Sequence, residues 1–171
     1  MKWSPYAAAA LCVTPIVSHA SVYLTVEQAQ KLIFPNATMQ KVAIHLTDDQ
    51  VKSLKKSSGI FYAFKADQVY KTNDGGWFIV DQVLGKHEMI TYAVGLNANG
   101  AVKQVEILEY NESYGGQVRD SNWRQQFVDK TVASPVSLNN DIRNISGATL
   151  SSKHITDGVK RILQFHSMLL K

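Results

Sequence analysis

The sequence contains a single cysteine in 171 residues, Cys12, which lies close to the amino terminus. The remainder of the chain therefore offers no disulfide, no thiolate chemistry and no cysteine ligand for a metal. The histidines do not follow the His-x-x-x-His spacing of a zinc site, so no metal is predicted. Neither Cys-x-x-Cys-His nor Gly-x-Ser-x-Gly occurs, which argues against attached c-type haem and against a hydrolase nucleophile.

The chain also lacks a concentrated charge of one sign. It has 18 Lys and Arg residues against 14 Asp and Glu residues, a formal net charge of +4, and no run of five basic residues. This pattern does not favour a nucleic-acid partner. Low-complexity segments and internal repeats are absent, and 45% of the residues are apolar, which is typical of one globular domain at this length.

The amino terminus has the pattern of a secretory signal peptide over residues 1–20. Lys2 supplies a positive charge, Tyr6–Val17 is mainly apolar, and Ser18-His19-Ala20 fits a small-x-small cleavage site. The apolar stretch is shorter than the roughly 20 residues that span a bilayer. We therefore expect cleavage before Ser21, loss of Cys12 with the leader, and a protein that is periplasmic or otherwise exported.

Two capping boxes predict helices near the start of the mature chain. Thr25 with Gln28 begins the first, and Thr47 with Gln50 begins the second, which ends at Gly59. We expect residues 21–171 to form a single domain, with a helical extension up to about residue 59.

Alternating apolar residues then predict an antiparallel meander of about four strands between residues 60 and 110. Asn97–Gly100 is a strong hairpin turn within it. The predicted strands, including one before the meander, are Met39–Leu46, Ile60–Tyr70, Trp77–Leu84, Lys86–Gly95 and Val102–Tyr110.

Two further helices complete the predicted α+β fold, in which helices pack on an antiparallel β-meander sheet. The first is Trp123–Asp129. The second is a C-terminal amphipathic helix capped by Ser151 or Ser152. Its apolar stripe consists of Ile155, Val159, Ile162, Leu163 and Leu169.

The turn before the last helix is the first candidate site. Small residues and a hydroxyl at a helix N-terminus suit a phosphate, because free N–H groups and the helix dipole meet there. An ordinary N-cap loop has the same composition, so the residues alone leave both interpretations open. The candidate residues are Ser146, Gly147, Ala148, Thr149, Leu150 and Ser151.

The loop after the last predicted strand is the second candidate site. Its two glycines could let a flat ring lie against the backbone, with an aromatic side chain for stacking, or they could simply form a turn. The residues are Glu112, Ser113, Tyr114, Gly115 and Gly116.

In this order, with the helix around Trp123 between them, the two motifs resemble the FMN-binding domain family over about Val80 to Leu163. That domain occurs in the C subunit of the sodium-pumping NADH:quinone reductase, in the G subunit of the Rnf complex and in small exported flavoproteins. The resemblance implies FMN joined to Thr149 through a phosphoester, installed by an exported flavin transferase that uses FAD and magnesium. It also implies that Glu112–Gly116 lies beside the isoalloxazine ring.

The sequence departs from the family pattern shortly before the motif. Relatives often have Asp-x-Ile-Ser-Gly-Ala-Thr, whereas Arg143 stands at the acidic position and Asn144 follows it. Either Asp141 substitutes for that acid in the attachment reaction, or Arg143 pairs with the flavin phosphate.

The sequence therefore predicts an exported electron carrier with covalent FMN, working with redox donor and acceptor proteins that include membrane-bound respiratory components. No acid–base pair indicates turnover of a substrate, so a carrier is favoured over a self-sufficient enzyme. Two alternatives stay open at this point. One is a small flavin-dependent oxidoreductase with its own substrate, and the other is a flavin-free binding module on the same fold.

Overall fold

A computed structural model describes residues 22–62 and 64–170 of the chain. The predicted signal peptide, its cleavage site and Cys12 lie outside these residues. The four helices are α1 (Val26–Ile33), α2 (Asp48–Ser58), α3 (Ser121–Arg124) and α4 (Thr149–Leu169). The five strands are β1 (Met39–Lys41), β2 (Val69–Thr72), β3 (Trp77–Leu84), β4 (Met89–Leu96) and β5 (Val102–Tyr110). Short 3-10 turns cover Gly116–Arg119 and Gln125–Phe127.

The strands form one antiparallel sheet in the order β1-β2-β3-β4-β5. Each strand therefore pairs with its neighbour in sequence, as a meander requires. The predicted turn at Asn97–Gly100 joins β4 to β5, with Gly100 at φ 80°. The predicted α+β fold is confirmed, and β1 extends the meander to five strands.

Helices cover both faces of the sheet. On one face α1 packs Ala29, Ile33 and Phe34 against a small apolar cluster on β3, β4 and β5. On the other face α2 and α4 cover the main core. The predicted stripe of α4 is confirmed, because Ile155, Val159, Ile162 and Leu163 are buried and Leu169 packs against the core. Among the described residues, no helix is long and apolar enough to cross a membrane.

Two of the predicted strands are much shorter than expected. Only Met39–Lys41 forms a strand within the predicted Met39–Leu46. Val42 adds one hydrogen bond, from its N–H to the carbonyl of Val69 at 2.8 Å, and the later residues pack against the core. Within the predicted Ile60–Tyr70, residues 60–62 and 64–68 are irregular, with Ala66 at φ 52°, a conformation that interrupts extended backbone. Phe64 still enters the core, where its ring meets that of Phe165 edge-on at 4.8 Å.

Three further boundaries differ from the prediction. The fourth strand begins at Met89 rather than Lys86, because residues 86–88 form the turn. The helix at Trp123 is a short α-helix that continues as a 3-10 turn to Phe127. The last helix begins at Thr149 with Ala148 as its N-cap, so the prediction of Ser151 or Ser152 as the cap was wrong.

Candidate functional site

The two candidate motifs meet at one cavity of about 440 Å³. Of the eleven predicted site residues, eight line it: Glu112, Ser113, Tyr114, Gly147, Ala148, Thr149, Leu150 and Ser151. Lys86 and His87, which the sequence analysis did not select, complete the lining. Ser146 is exposed beside the cavity, and Gly115 and Gly116 line a neighbouring open depression.

The side chain of Tyr110, at the end of β5, joins the two motifs. Its hydroxyl donates to the carbonyl of Tyr114 and lies 3.1 Å from Ser151 Oγ in the first turn of α4. Burial raises the pKa of Tyr110, so the phenol keeps its proton as a donor at neutral pH. The strand therefore fixes the spacing between the glycine-bearing loop and the start of the helix.

Gly115 allows this close approach. Its φ is 93°, and a Cβ there would meet Tyr110 Oη and lie 2.9 Å from Ala148 Cβ. The neighbouring Gly116 is different, because the nearest atom to its added Cβ is Arg119 Nη2 at 3.6 Å. The first glycine of the pair is therefore required by packing across the motifs, and the second is not.

Glu112 organises the turn that carries Lys86 and His87. Its Oε1 accepts hydrogen bonds from the N–H of His87 at 2.6 Å and of Glu88 at 3.0 Å. Desolvation opposes ionisation of this carboxyl, but the backbone donors outweigh it and lower the pKa of Glu112. The acidic residue of the loop thus holds the β3–β4 turn and places two basic side chains at the cavity.

Sequence reasoning missed Lys86 and His87 because they lie in a turn about 25 residues before Glu112. The only local signal was Gly85-Lys86-His87, which the alternation pattern assigned mostly to a strand. On the helix side, His154 Nδ1 contacts the carbonyl of Leu84, which ties α4 to the same turn.

The start of α4 presents free backbone donors to the cavity. No side chain caps the helix at Ala148, and its first turn contains no acidic residue. Thr149 and Leu150 are exposed there, and Thr149 Oγ1 accepts a hydrogen bond of 3.2 Å from Asn144 Nδ2. An anion at this position would satisfy the free N–H groups and the positive end of the helix dipole.

Asp141, one of the two alternatives for compensating the missing acid, is bound within the preceding loop. Its carboxylate accepts from the N–H groups of Val136 and Ser137 and pairs with Lys130 at 2.9 Å. Desolvation opposes ionisation of Asp141, but the backbone and lysine contacts together exceed it and lower the pKa of this carboxyl.

Arg143 is held through its backbone and through its exposed side chain, whose Nε donates to Gln126 Oε1 at 3.3 Å. Trp123 Nε1 donates to its carbonyl at 2.7 Å, and its N–H donates to Gln126 Oε1 at 2.8 Å. Trp123 is itself buried against Phe127, with ring centroids 5.2 Å apart. The helix around Trp123 thus anchors the stretch of chain that leads into the Thr149 turn.

The residues of the cavity fit a phosphorylated aromatic cofactor. Its volume lies in the usual range of small-molecule sites, about 300–1,000 Å³. The lining combines the uncapped helix with the basic side chains of Lys86 and His87, which suits a phosphate. Tyr114, with 84% of its surface exposed, and Leu150, with 44%, offer apolar area to a flat ring.

Comparison with known proteins agrees with this chemistry. The sequence model of the family described as FMN-binding domain matches residues 85–164, which include both motifs and the turn with Lys86 and His87. Over 86 residues the chain is 29% identical to the G subunit of the Na(+)-translocating ferredoxin:NAD(+) oxidoreductase complex of Acetobacterium woodii.

The alignment with that relative covers 45% of this chain and 42% of the relative, so the chain spans less than half the length of the curated protein it matches. The region matched by the family model nevertheless contains every residue that lines the cavity. The resemblance inferred from the two motifs is thus confirmed: residues 85–164 match the FMN-binding domain family.

Proposed function

We propose that this protein is an exported electron-transfer flavoprotein whose FMN is joined through a phosphoester to Thr149. The family match and the relative from Acetobacterium woodii support an FMN-binding electron-transfer flavoprotein. The observation that carries the proposal is the exposed Thr149 hydroxyl at the uncapped start of α4, inside the cavity formed by both motifs.

The residues around Thr149 favour attachment over simple burial of a hydroxyl. A threonine that only caps a helix directs its oxygen at the N–H two or three residues later. Thr149 instead follows the N-cap position and contacts Asn144, so its oxygen is not used on the helix. A phosphate ester on that oxygen would lie beside the free N–H groups of the same turn.

The remaining lining residues would bind and orient the ring. Bound FMN accepts one or two electrons, which suits a link between two-electron and one-electron partners. Tyr114 and Leu150 would cover part of one ring surface, and Lys86 and His87 would balance negative charge on the phosphate. The Tyr110 contact to Ser151 would keep these groups at a fixed separation.

A carrier suits the cavity better than an enzyme with its own substrate. The carboxyls of Glu112 and Asp141 are engaged by backbone N–H groups, and neither is presented as an acid or base for a bound substrate. The donor and acceptor would be redox proteins, which we propose to include membrane-bound components, and the relative is likewise a subunit of a Na(+)-translocating oxidoreductase complex. The attaching partner would be an exported flavin transferase.

The test is production of the full chain with and without a flavin transferase in the exporting compartment. The proposal predicts a yellow protein whose flavin fluorescence survives denaturing electrophoresis, only when the transferase is present. Thr149→Ala should abolish that fluorescence. Ser146→Ala, which removes an exposed hydroxyl three residues earlier, is the matched control and should retain it.

A colourless wild-type chain made beside an active transferase would contradict the proposal and favour the flavin-free binding module. Steady-state turnover of a small substrate by the purified yellow protein, without a redox partner, would favour the enzyme alternative.

A further inference from the structure

The side-chain amide of Asn144 lies between the Thr149 hydroxyl and the backbone that precedes it. Oδ1 accepts from the N–H of Ile145 at 2.8 Å and from Ser152 Oγ at 2.9 Å. Nδ2 donates to Thr149 Oγ1 at 3.2 Å. A single side chain therefore connects the turn, the interior of the helix and the predicted attachment oxygen.

The direction of the amide follows from its partners. A backbone N–H can only donate, so the oxygen of the amide must face Ile145. The NH₂ group must then face Thr149, where it donates to Oγ1. As a result, Oγ1 is the acceptor in this contact, and its own proton points away from Asn144.

Carboxylates near the turn are already engaged within the part of the chain described. Asp141 accepts from Val136 and Ser137, and Glu112 accepts from His87 and Glu88. Among the described residues, the hydrogen bond found at Thr149 Oγ1 is the one from Asn144. The described part of the chain therefore orients the Thr149 hydroxyl. The base that takes up its proton must come from the flavin transferase.

We infer that Asn144 is a positioning residue for flavin attachment, holding Thr149 Oγ1 in the rotamer that faces the incoming phosphate. This inference rests on the proposed function. In the reaction, Oγ1 attacks the flavin-side phosphorus of FAD, the Oγ1–P bond forms and the phosphoanhydride bond breaks. AMP leaves, the hydroxyl proton passes to a base of the transferase, and no electrons are transferred. Asn144 keeps its hydrogen bond to Oγ1 throughout.

The first test measures attachment rates with the purified flavin-free chain, a purified flavin transferase, FAD and Mg²⁺. Asn144→Ala should lower kcat about tenfold with an unchanged KM for the chain, because docking is intact and one orienting hydrogen bond is lost. Asn144→Asp should stay within about threefold of wild type, since a carboxylate can accept from Ile145 and hold the Thr149 hydroxyl. Ser152→Ala removes the hydroxyl that contacts Oδ1 and also the carbonyls of Ala148 and Thr149. It leaves the hydrogen bond from Asn144 to Thr149 Oγ1 in place, so the rate should stay within about twofold.

The second test does not depend on attachment. Three-bond couplings in the flavin-free chain report the χ1 angle of Thr149, which should occupy one rotamer in wild type and average over several in Asn144→Ala. Thr25, whose hydroxyl caps α1, is the internal control and should not change. If Asn144→Ala does not fold, the same comparison uses Asn144→Asp, which should keep a single rotamer.

The outcomes distinguish the attachment of FMN at Thr149 from the positioning role of Asn144. A wild-type chain that the transferase leaves unmodified contradicts the proposed function at Thr149. A modified wild type with equal rates in Asn144→Ala, or an unchanged Thr149 rotamer in that variant, overturns the role of Asn144 alone. Loss of rate in Ser152→Ala as large as in Asn144→Ala would show that the amide only supports the turn, and would also overturn it.

Discussion

The middle of helix α4 and its first turn differ sharply in what surrounds them. From Ile155 to Phe165 the helix is mostly buried, and Arg161 retains only 1% of its exposure. In the first turn Thr149 and Leu150 are exposed, and no side chain caps the helix. The middle of α4 therefore stabilises the helix. Because of that stability, its first turn can stay open for a ligand.

A polar cluster inside the buried part explains why that region tolerates a charge. Arg161 Nη2 lies 2.6 Å from Asp81 Oδ2 and 3.0 Å from the carbonyl of Gln82. Tyr92 donates to the same carboxylate at 2.7 Å. Desolvation raises the pKa of Asp81, partly offset by Arg161 and Tyr92, while burial raises the pKa of Tyr92 and keeps the phenol protonated. Asp81, Tyr92 and Arg161 therefore each depend on the others, because loss of one leaves a buried polar group without its partner.

Asp81→Ala should have the largest effect on stability. It leaves the Arg161 guanidinium buried without its counter-ion, which we expect to lower the free energy of unfolding by about 3–5 kcal/mol. Urea denaturation followed by tryptophan fluorescence measures the change. Asp157→Ala is the control, because it breaks the exposed Lys153–Asp157 pair of the same helix and should cost about 0.5 kcal/mol. Equal losses in the two variants would show that burial of the Arg161–Asp81 pair does not determine its contribution to stability.

Gly115→Ala should have an intermediate effect, concentrated at the cavity. The added methyl group is strained at φ 93° and meets Tyr110 and Ala148, for which we expect a loss of about 1–3 kcal/mol. Because the two motifs are pushed apart, flavin retention should fall as well. Gly116→Ala, with room for a methyl group, should leave stability unchanged or raise it by up to about 1 kcal/mol. A larger loss of thermal stability in Gly116→Ala than in Gly115→Ala would mean that the second glycine, and not the first, is required by packing across the motifs.

Glu112→Gln should have the smallest effect and the clearest pH dependence. The native pKa of Glu112 is lowered from its ordinary value of 4.5, so its contribution is present above that value and is lost as the pH falls through the native pKa. At pH 7 we expect the variant to be less stable by about 1 kcal/mol, because a charged acceptor of two N–H groups becomes neutral. The difference in free energy of unfolding between Glu112→Gln and wild type should shrink as the pH falls. A difference in free energy of unfolding that does not shrink as the pH falls below 4.5 would show that the carboxylate charge is not the cause.

Local signals allowed much of this fold to be predicted. Both capping boxes form as expected, with Thr25 and Thr47 each accepting from the third residue of its helix. Gly59 ends α2 in the left-handed conformation. Such features depend on a few neighbouring residues, so the sequence contains all the information that determines them.

The errors came where a residue is used by a distant part of the chain. Ser151 and Ser152 have the composition of a helix cap, but their hydroxyls contact Tyr110 and Asn144 instead. The helix begins at Thr149, three or four residues earlier than those caps would place it. Lys86 and His87 join the site only because Glu112 binds their turn, and no local pattern contains that pairing.

The most direct measurement is the position of the flavin on the polypeptide. Trypsin cleavage after Arg143 and Lys153 gives a peptide that contains Thr149 together with Ser146, Ser151 and Ser152. From chain produced with an active flavin transferase, this peptide should be heavier by one FMN less one water, and its fragment ions should locate the added mass on Thr149. An unmodified peptide, or added mass on one of the serines, would contradict the central claim.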